Sequence, residues 1–173
     1  AASVGDVARQ LQLKTEWHLL DTGDEFAEPC ELRTSAFGVA RFEFSDGRLA
    51  LGPNSRVVWE GTRLDVKHGQ VVLFLKEGAA SWIVEALHAR TEVAAASECE
   101  IEIVSGHDSK SVVGRVLSGV AKTRWQAGTE REVRSKAFRW EFSTGEFSES
   151  ELPKRDSGNE VLKRKRQQDI AQL

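Results

Sequence analysis

The chain has 173 residues, 40% hydrophobic and 29% charged, enough for one domain with a sizeable core plus a tail. A formal net charge of −3 provides no global positive field to collect nucleic acid or anionic lipid, and no apolar run of 18 or more residues offers a membrane-spanning helix. Met is absent, and the opening Ala1-Ala2-Ser3 consists of small residues of the kind left where a leader is removed or a chain is trimmed.

Between Val4 and Leu20 the apolar residues Val4, Val7, Leu11 and Leu13 fit either a helical stripe or a strand. Gly5 and the β-rich sequel favour strand. Leu20 to Phe26 is rich in turn formers, with Asp and Thr side chains able to bond nearby amides. Pro29 keeps Glu28 extended, and Cys30 to Thr34 reads as a short strand.

The clearest pattern lies between Leu32 and Leu75. Phe42 and Phe44 alternate with Arg41, Glu43 and Ser45, the period of a strand with one wet face. Asp46-Gly47 is expected to turn the chain into a return strand carrying Leu49 and Leu51. The same spacing recurs about Gly69, with Leu64 and Val66 before it and Val71 and Leu73 after it. Gly145 keeps three of the four places (Trp140, Phe142, Phe147), and Gly119 keeps Val116 and Ala121. Repeated strand-turn-strand units must stack to bury their faces, because one hairpin is marginal in water. The expected fold is therefore all-β, a stack of short hairpins or rungs resembling a β-solenoid or a sandwich.

Further along, Gly52 to Ser55 is a turn cluster and Val57 to Trp59 an apolar segment broken by Gly61. The run Val71 to Leu75 is apolar on both faces, so it is expected at the centre, covered on both sides. Glu77-Gly78 turns again. Leu87 to Val93 reads as a half-exposed strand, and Cys99, Ile101 and Ile103 alternate with Glu98, Glu100 and Glu102, three acids expected to face solvent. Val112 to Trp125, interrupted at Ser118-Gly119, reads as a strand pair, and Phe138 to Phe142 as the last ladder.

Three units follow: a β domain over 1–147, a polar linker over 148–159 and a basic tail over 160–173. Asn159 would cap a short helix in that tail. Its dense run Lys163, Arg164, Lys165 and Arg166 is the candidate partner-binding segment, suited to an acidic protein surface or anionic headgroups.

Catalytic and metal chemistry find little support. His18, His68, His88 and His107 are isolated, with no HxH or HxxxH spacing, and no cofactor is expected. No GxSxG elbow, GxxxxGK or GxGxxG loop is present, so an enzyme is not expected. Cys30 and Cys99 permit one disulfide or two separate buried thiols. Trp17, Trp59, Trp82, Trp125 and Trp140 are core candidates, while an exposed row of them would make a carbohydrate or protein platform.

Cys30 to Leu75 resembles the FecR-type domain of bacterial cell-envelope signalling regulators. The likeness rests on Leu32-Arg33-Thr34, on Arg41 to Gly47 followed by Leu49-Ala50-Leu51, on the Pro53-Asn54-Ser55 turn, and on Leu64 to Gly69 followed by Val71-Val72. Trp17 to Asp24 is similar to the leader that often precedes the domain. The resemblance implies a periplasmic or otherwise extracytoplasmic module that binds another envelope protein and takes no part in catalysis. In the best-known members the domain lies beyond a membrane helix whose inner end restrains a sigma factor. A glycan-binding or scaffold protein of the envelope is the alternative.

Overall fold

A computed structural model describes residues 7–11, 18–21, 23–25 and 29–152. Among these residues every regular element is a strand, so the fold is all-β. The first seven are β1 (Val7–Leu11), β2 (His18–Leu20), β3 (Cys30–Thr34), β4 (Ala40–Phe44), β5 (Gly47–Leu51), β6 (Arg56–Glu60) and β7 (Arg63–Leu75). Then come β8 (Trp82–Ala86), β9 (Ala89–Val93), β10 (Glu98–Ser105) and β11 (Lys110–Ser118). The last are β12 (Val120–Trp125), β13 (Arg131–Arg134), β14 (Lys136–Glu141) and β15 (Phe147–Glu151).

The strands form one continuous sheet that doubles back on itself through β7. The first half of β7 pairs with β6 and with β8, the second half with β5 and β10. One layer therefore runs β2-β1-β3-β6-β7-β8-β9-β12-β13, and the other β4-β5-β7-β10-β11-β14-β15. Leu32, Val57, Leu64, Val66 and Val84 from the first layer join Leu49, Leu73, Ile101, Val112 and Phe138 from the second in one buried cluster. Aromatic rings bind the layers at one end: Phe44 stacks on Trp82 at 4.7 Å and meets Trp59 edge-on at 5.6 Å. The buried Thr123 hydroxyl receives the Trp140 Nε1–H at 2.9 Å from the opposite layer and the Thr91 hydroxyl at 3.1 Å from its own.

Gly69 is not a hairpin tip. It stands inside the 13-residue β7 with φ of 87°, and the buried set changes parity there, from Leu64 and Val66 to Val71, Leu73 and Leu75. The partner register shows why. Arg56 and Val57 of β6 are adjacent, yet they face His68 and Val66, so Lys67 is an extra, bulged residue that bends the strand into the other layer. His68, expected in a turn, is consequently a strand residue whose Nδ1 contacts the Asn54 carbonyl at 2.7 Å.

Two hairpins, one in each layer, close at their bases in the same way. At the base of β6–β7 the Ser55 hydroxyl accepts the Gln70 N–H at 2.9 Å and donates to the Gln70 carbonyl at 3.1 Å. At the base of β10–β11 the Ser97 hydroxyl accepts the Val120 N–H at 2.9 Å. Each serine is buried, follows a residue of positive φ (Asn54 or Ala96), and lies where a Cβ on Gly69 or Gly119 would overlap it. Gly69 is level with Ile103 and Ser97 immediately precedes Glu98, so the two closures sit toward opposite ends of β10.

Other local expectations change. The β4–β5 turn is Ser45-Asp46, and Gly47 is the first residue of β5, pressed so close to the Phe74 carbonyl that a side chain would collide. Leu87-His88 is a two-residue hairpin joining β8 to β9, with Leu87 at φ of 53°, so His88 does not stand on a strand. β11 and β12 do not pair; Gly119 passes the chain from one layer to the other. Ser148 to Glu151, expected in the linker, pair with β14 as edge strand β15. Their side chains are all exposed, so no alternation announced the strand. The rung expectation survives in one place: β7 crosses into the second layer and returns through Gly78 to β8, which lies parallel to its first half. Gly145 does close the β14–β15 hairpin as expected. Both cysteines are buried, and no disulfide joins them.

Candidate protein-binding face

The outer sides of the two layers differ. On the first, charged residues face one another across strands: Arg56 with Glu31, and Arg63 with Glu85. Hydrogen bonding to those carboxylates holds both guanidinium groups above their ordinary pKa. The arginines keep much of their side chains in water while the carboxylates are partly covered, so solvent still screens the pairs and their contribution to stability is modest.

On the second layer the outer side is hollowed into two adjoining cavities, of about 640 and about 350 Å³. They share Glu98, Glu100 and Leu117, which makes them one groove crossing the strands. Its floor is apolar: Ala50, Val72, Phe74 and Leu117, all half-buried. Leu117 reaches it by the alternation of β11, which buries Val112, Gly114 and Val116 and turns Arg115 and Leu117 outward; the β10–β11 register slips by one residue beside it, leaving Leu117 unopposed between Val116 and Ser118. Val71 to Leu75 is thus central, as expected, but only Val71, Leu73 and Leu75 are buried; Val72 and Phe74 line the groove.

The walls carry charge of both signs. At one end Arg48 lies 4.8 Å over the Phe74 ring, beside Arg41 and Glu43. In the middle Glu100 accepts the Gln70 Nε2–H at 2.8 Å and pairs with Arg115, which also approaches Glu102 at 3.4 Å. The three acids of β10 do not simply face solvent, then; they are half-buried, with the Glu100 side chain only 16% exposed. Glu98 has no ionic partner among the described residues. Apolar floor, arginine and unpaired carboxylate together suit a polypeptide segment, which can supply side chains of every kind at strand spacing.

Lys163, Arg164, Lys165 and Arg166 lie outside the described residues. Trp59, Trp82 and Trp140 are buried and Trp125 is half-buried, so these four form no exposed row. A smaller cleft beside them, about 510 Å³, is lined by Trp125, Trp140, Phe147, Arg131, Thr129 and Thr144. Among the described residues no group of three His, Cys, Asp or Glu side chains could hold a metal ion. Burial raises the Cys99 thiol to about 12, with Glu100 adding to the shift, so that sulfur is inert as a nucleophile at neutral pH. The groove went unread in the sequence because its parts come from β4, β5, β7, β10 and β11; the spacing of Glu98, Glu100 and Glu102 was the one local signal.

No family profile matches the chain, and no curated protein matches its sequence. Among solved structures it is similar to two crystal structures, at 1.65 and 2.50 Å resolution, of a candidate anti-sigma factor from Parabacteroides distasonis ATCC 8503. The TM-scores are 0.57 and 0.58, each with 8% sequence identity over 70% of this chain. At that identity the shared property is the fold. The chain spans 59% of each of those chains.

Proposed function

We propose that this chain is a non-enzymatic, extracytoplasmic protein-binding module of an envelope signalling regulator, FecR-like and of the anti-sigma type. The observation that carries the reading is the mixed-charge, apolar-floored groove on the outer side of the second layer. It occurs on a fold shared with a candidate anti-sigma factor, in a chain whose residues from Cys30 to Leu75 resemble the FecR-type domain. Binding an extended partner segment there would convert arrival of a signal into a contact, with specificity set by Arg41, Arg48, Glu98 and Arg115.

Photo-cross-linking tests this. A cross-linker at Val72, in the groove, should capture one defined envelope protein in cells, while one at Val58, on the outer side of the first layer, should not. Equal capture from both positions, or capture from neither, sinks the reading. A second reading, a glycan-binding scaffold, is favoured by the cleft at Trp125, whose half-buried indole and two threonines could receive a sugar ring. Saturable quenching of tryptophan fluorescence by an oligosaccharide, abolished by Trp125→Ala, would establish it in place of the first.

A further inference from the structure

Strand register orders the charges of the groove. Residues opposite one another in an antiparallel pair share a face, so they line up across the layer. One such row reads Glu43, Arg48, Phe74, Glu98, and the next reads Arg41, Ala50, Val72, Glu100, Arg115. Toward β4 and β5 stand two arginines and one acid; toward β10 and β11 stand three acids and one arginine. The uncharged floor of Ala50, Val72 and Phe74 separates the two ends. At the acidic end Arg115 is already shared between Glu100 and Glu102, and Gln70 donates to Glu100 as well. Among the described residues Glu98 and Arg41 enter no ion pair, and Arg48 meets the face of Phe74 rather than a carboxylate. Three strand intervals of about 4.8 Å place Arg41 and Glu100 roughly 14 Å apart. An extended chain covers that span in about four residues, and its residues i, i+2 and i+4 all turn to one side.

We propose that the groove takes an extended segment of another protein, lying across the strands, whose charges run opposite to its own. An acidic side chain sits at Arg41 and Arg48, an apolar one over Val72 and Phe74, and a basic one at Glu98. A segment charged alike at both positions would set one side chain against its own sign, which makes the charge order a means of rejecting wrong partners. The inference rests on the reading of this face as a partner site and gives the chemistry of that partner.

Selection of random linear peptides displayed against the full chain, followed by synthesis of the enriched sequence, tests it. Enriched peptides should carry one acidic and one basic residue about four positions apart with an apolar residue between them. A photo-cross-linker at Val72 should capture the synthetic peptide, and one at Val58 should not. Arg41→Gln/Arg48→Gln should weaken its binding several-fold, yet leave unchanged the binding of a peptide whose acidic residue is replaced by Gln. Glu98→Gln should stand in the same relation to the basic residue. Enriched peptides of a single charge sign, or equal losses whichever peptide charge is removed, overturn the inference. Covalent dimers of the chain formed through Val72 would make a second copy the occupant and also overturn it. An envelope protein captured in cells through Val72 but lacking such a segment at the cross-link defeats this inference alone. Peptides enriched as expected, with no protein captured in cells, defeat the functional proposal alone.

Discussion

Strand β10 has two unlike sides. Inward, Cys99 and Ile101 are each 1% exposed and stand opposite Leu73 and Val71 on β7. Outward, Glu98, Glu100 and Glu102 form the middle of the groove. Successive residues of one strand thus serve different ends, since the pleat sends alternate side chains to opposite faces. Changes on the inner side should register in stability, and changes on the outer side in recognition.

The sharpest break of that division is Ile101→Ala. Removing a fully buried branched side chain should cost about 2–5 kcal/mol, read as a lower urea midpoint with unchanged slope. A loss below about 1 kcal/mol would mean that the two layers do not pack as described. Gly114→Ala comes next. Gly114 faces Phe138 directly across β11 and β14, and a Cβ there would overlap the ring. Overpacking should cost about 1–3 kcal/mol, and Phe138→Leu in the same chain should recover part of it.

Cys99 sharpens the comparison through pH. Its folded value, about 12, lies above the ordinary 9.0, so the protonated thiol is the form that the fold favours. The contribution is fully present below pH 9 and declines toward pH 12, because only the unfolded chain ionises in that window. The decline approaches about 1.4 kcal/mol per pH unit. Cys99→Val should remove that slope between pH 9.5 and 10.5 in denaturant titrations; an unaltered slope would show that other groups govern alkaline unfolding.

The smallest stability effect belongs to the outer side. Glu100→Gln weakens a partly solvated pair with Arg115 and should change stability by less than about 1 kcal/mol. Partner capture through Val72 should nevertheless fall several-fold. Equal losses in both measurements would erase the distinction between the sides.

The closures at Ser55 and Ser97 explain how much could be read in advance. Gly69 and Gly119 were visible as punctuation, but a turn and a corner look alike in sequence, since both ask for positive φ. What separates them is whether the flanking strands pair with each other, and β11 and β12 do not. Ser55 and Ser97 read as ordinary polar loop residues; their burial and their amide partners come from residues 15 and 23 positions away. Leu117 shares the outward parity of Arg115 in the sequence, but an apolar residue on a wet face does not by itself announce a groove, which needs strands β5, β7 and β10 beside it.

Alternation and turn chemistry by themselves were enough for an all-β chain and for most of its inward residues: Phe42, Leu49, Leu64, Val66, Val71, Leu73 and Ile101 are all buried. Those signals are local, set by a two-residue period and by the φ preferences of Gly, Asn and Ser. Allocation of strands to layers, the bend in β7 and the groove on the outer side depended on contacts far apart in the chain. A strand's own residues say which side is apolar, but not which strand will lie beside it or whether its wet side will be flat or hollow.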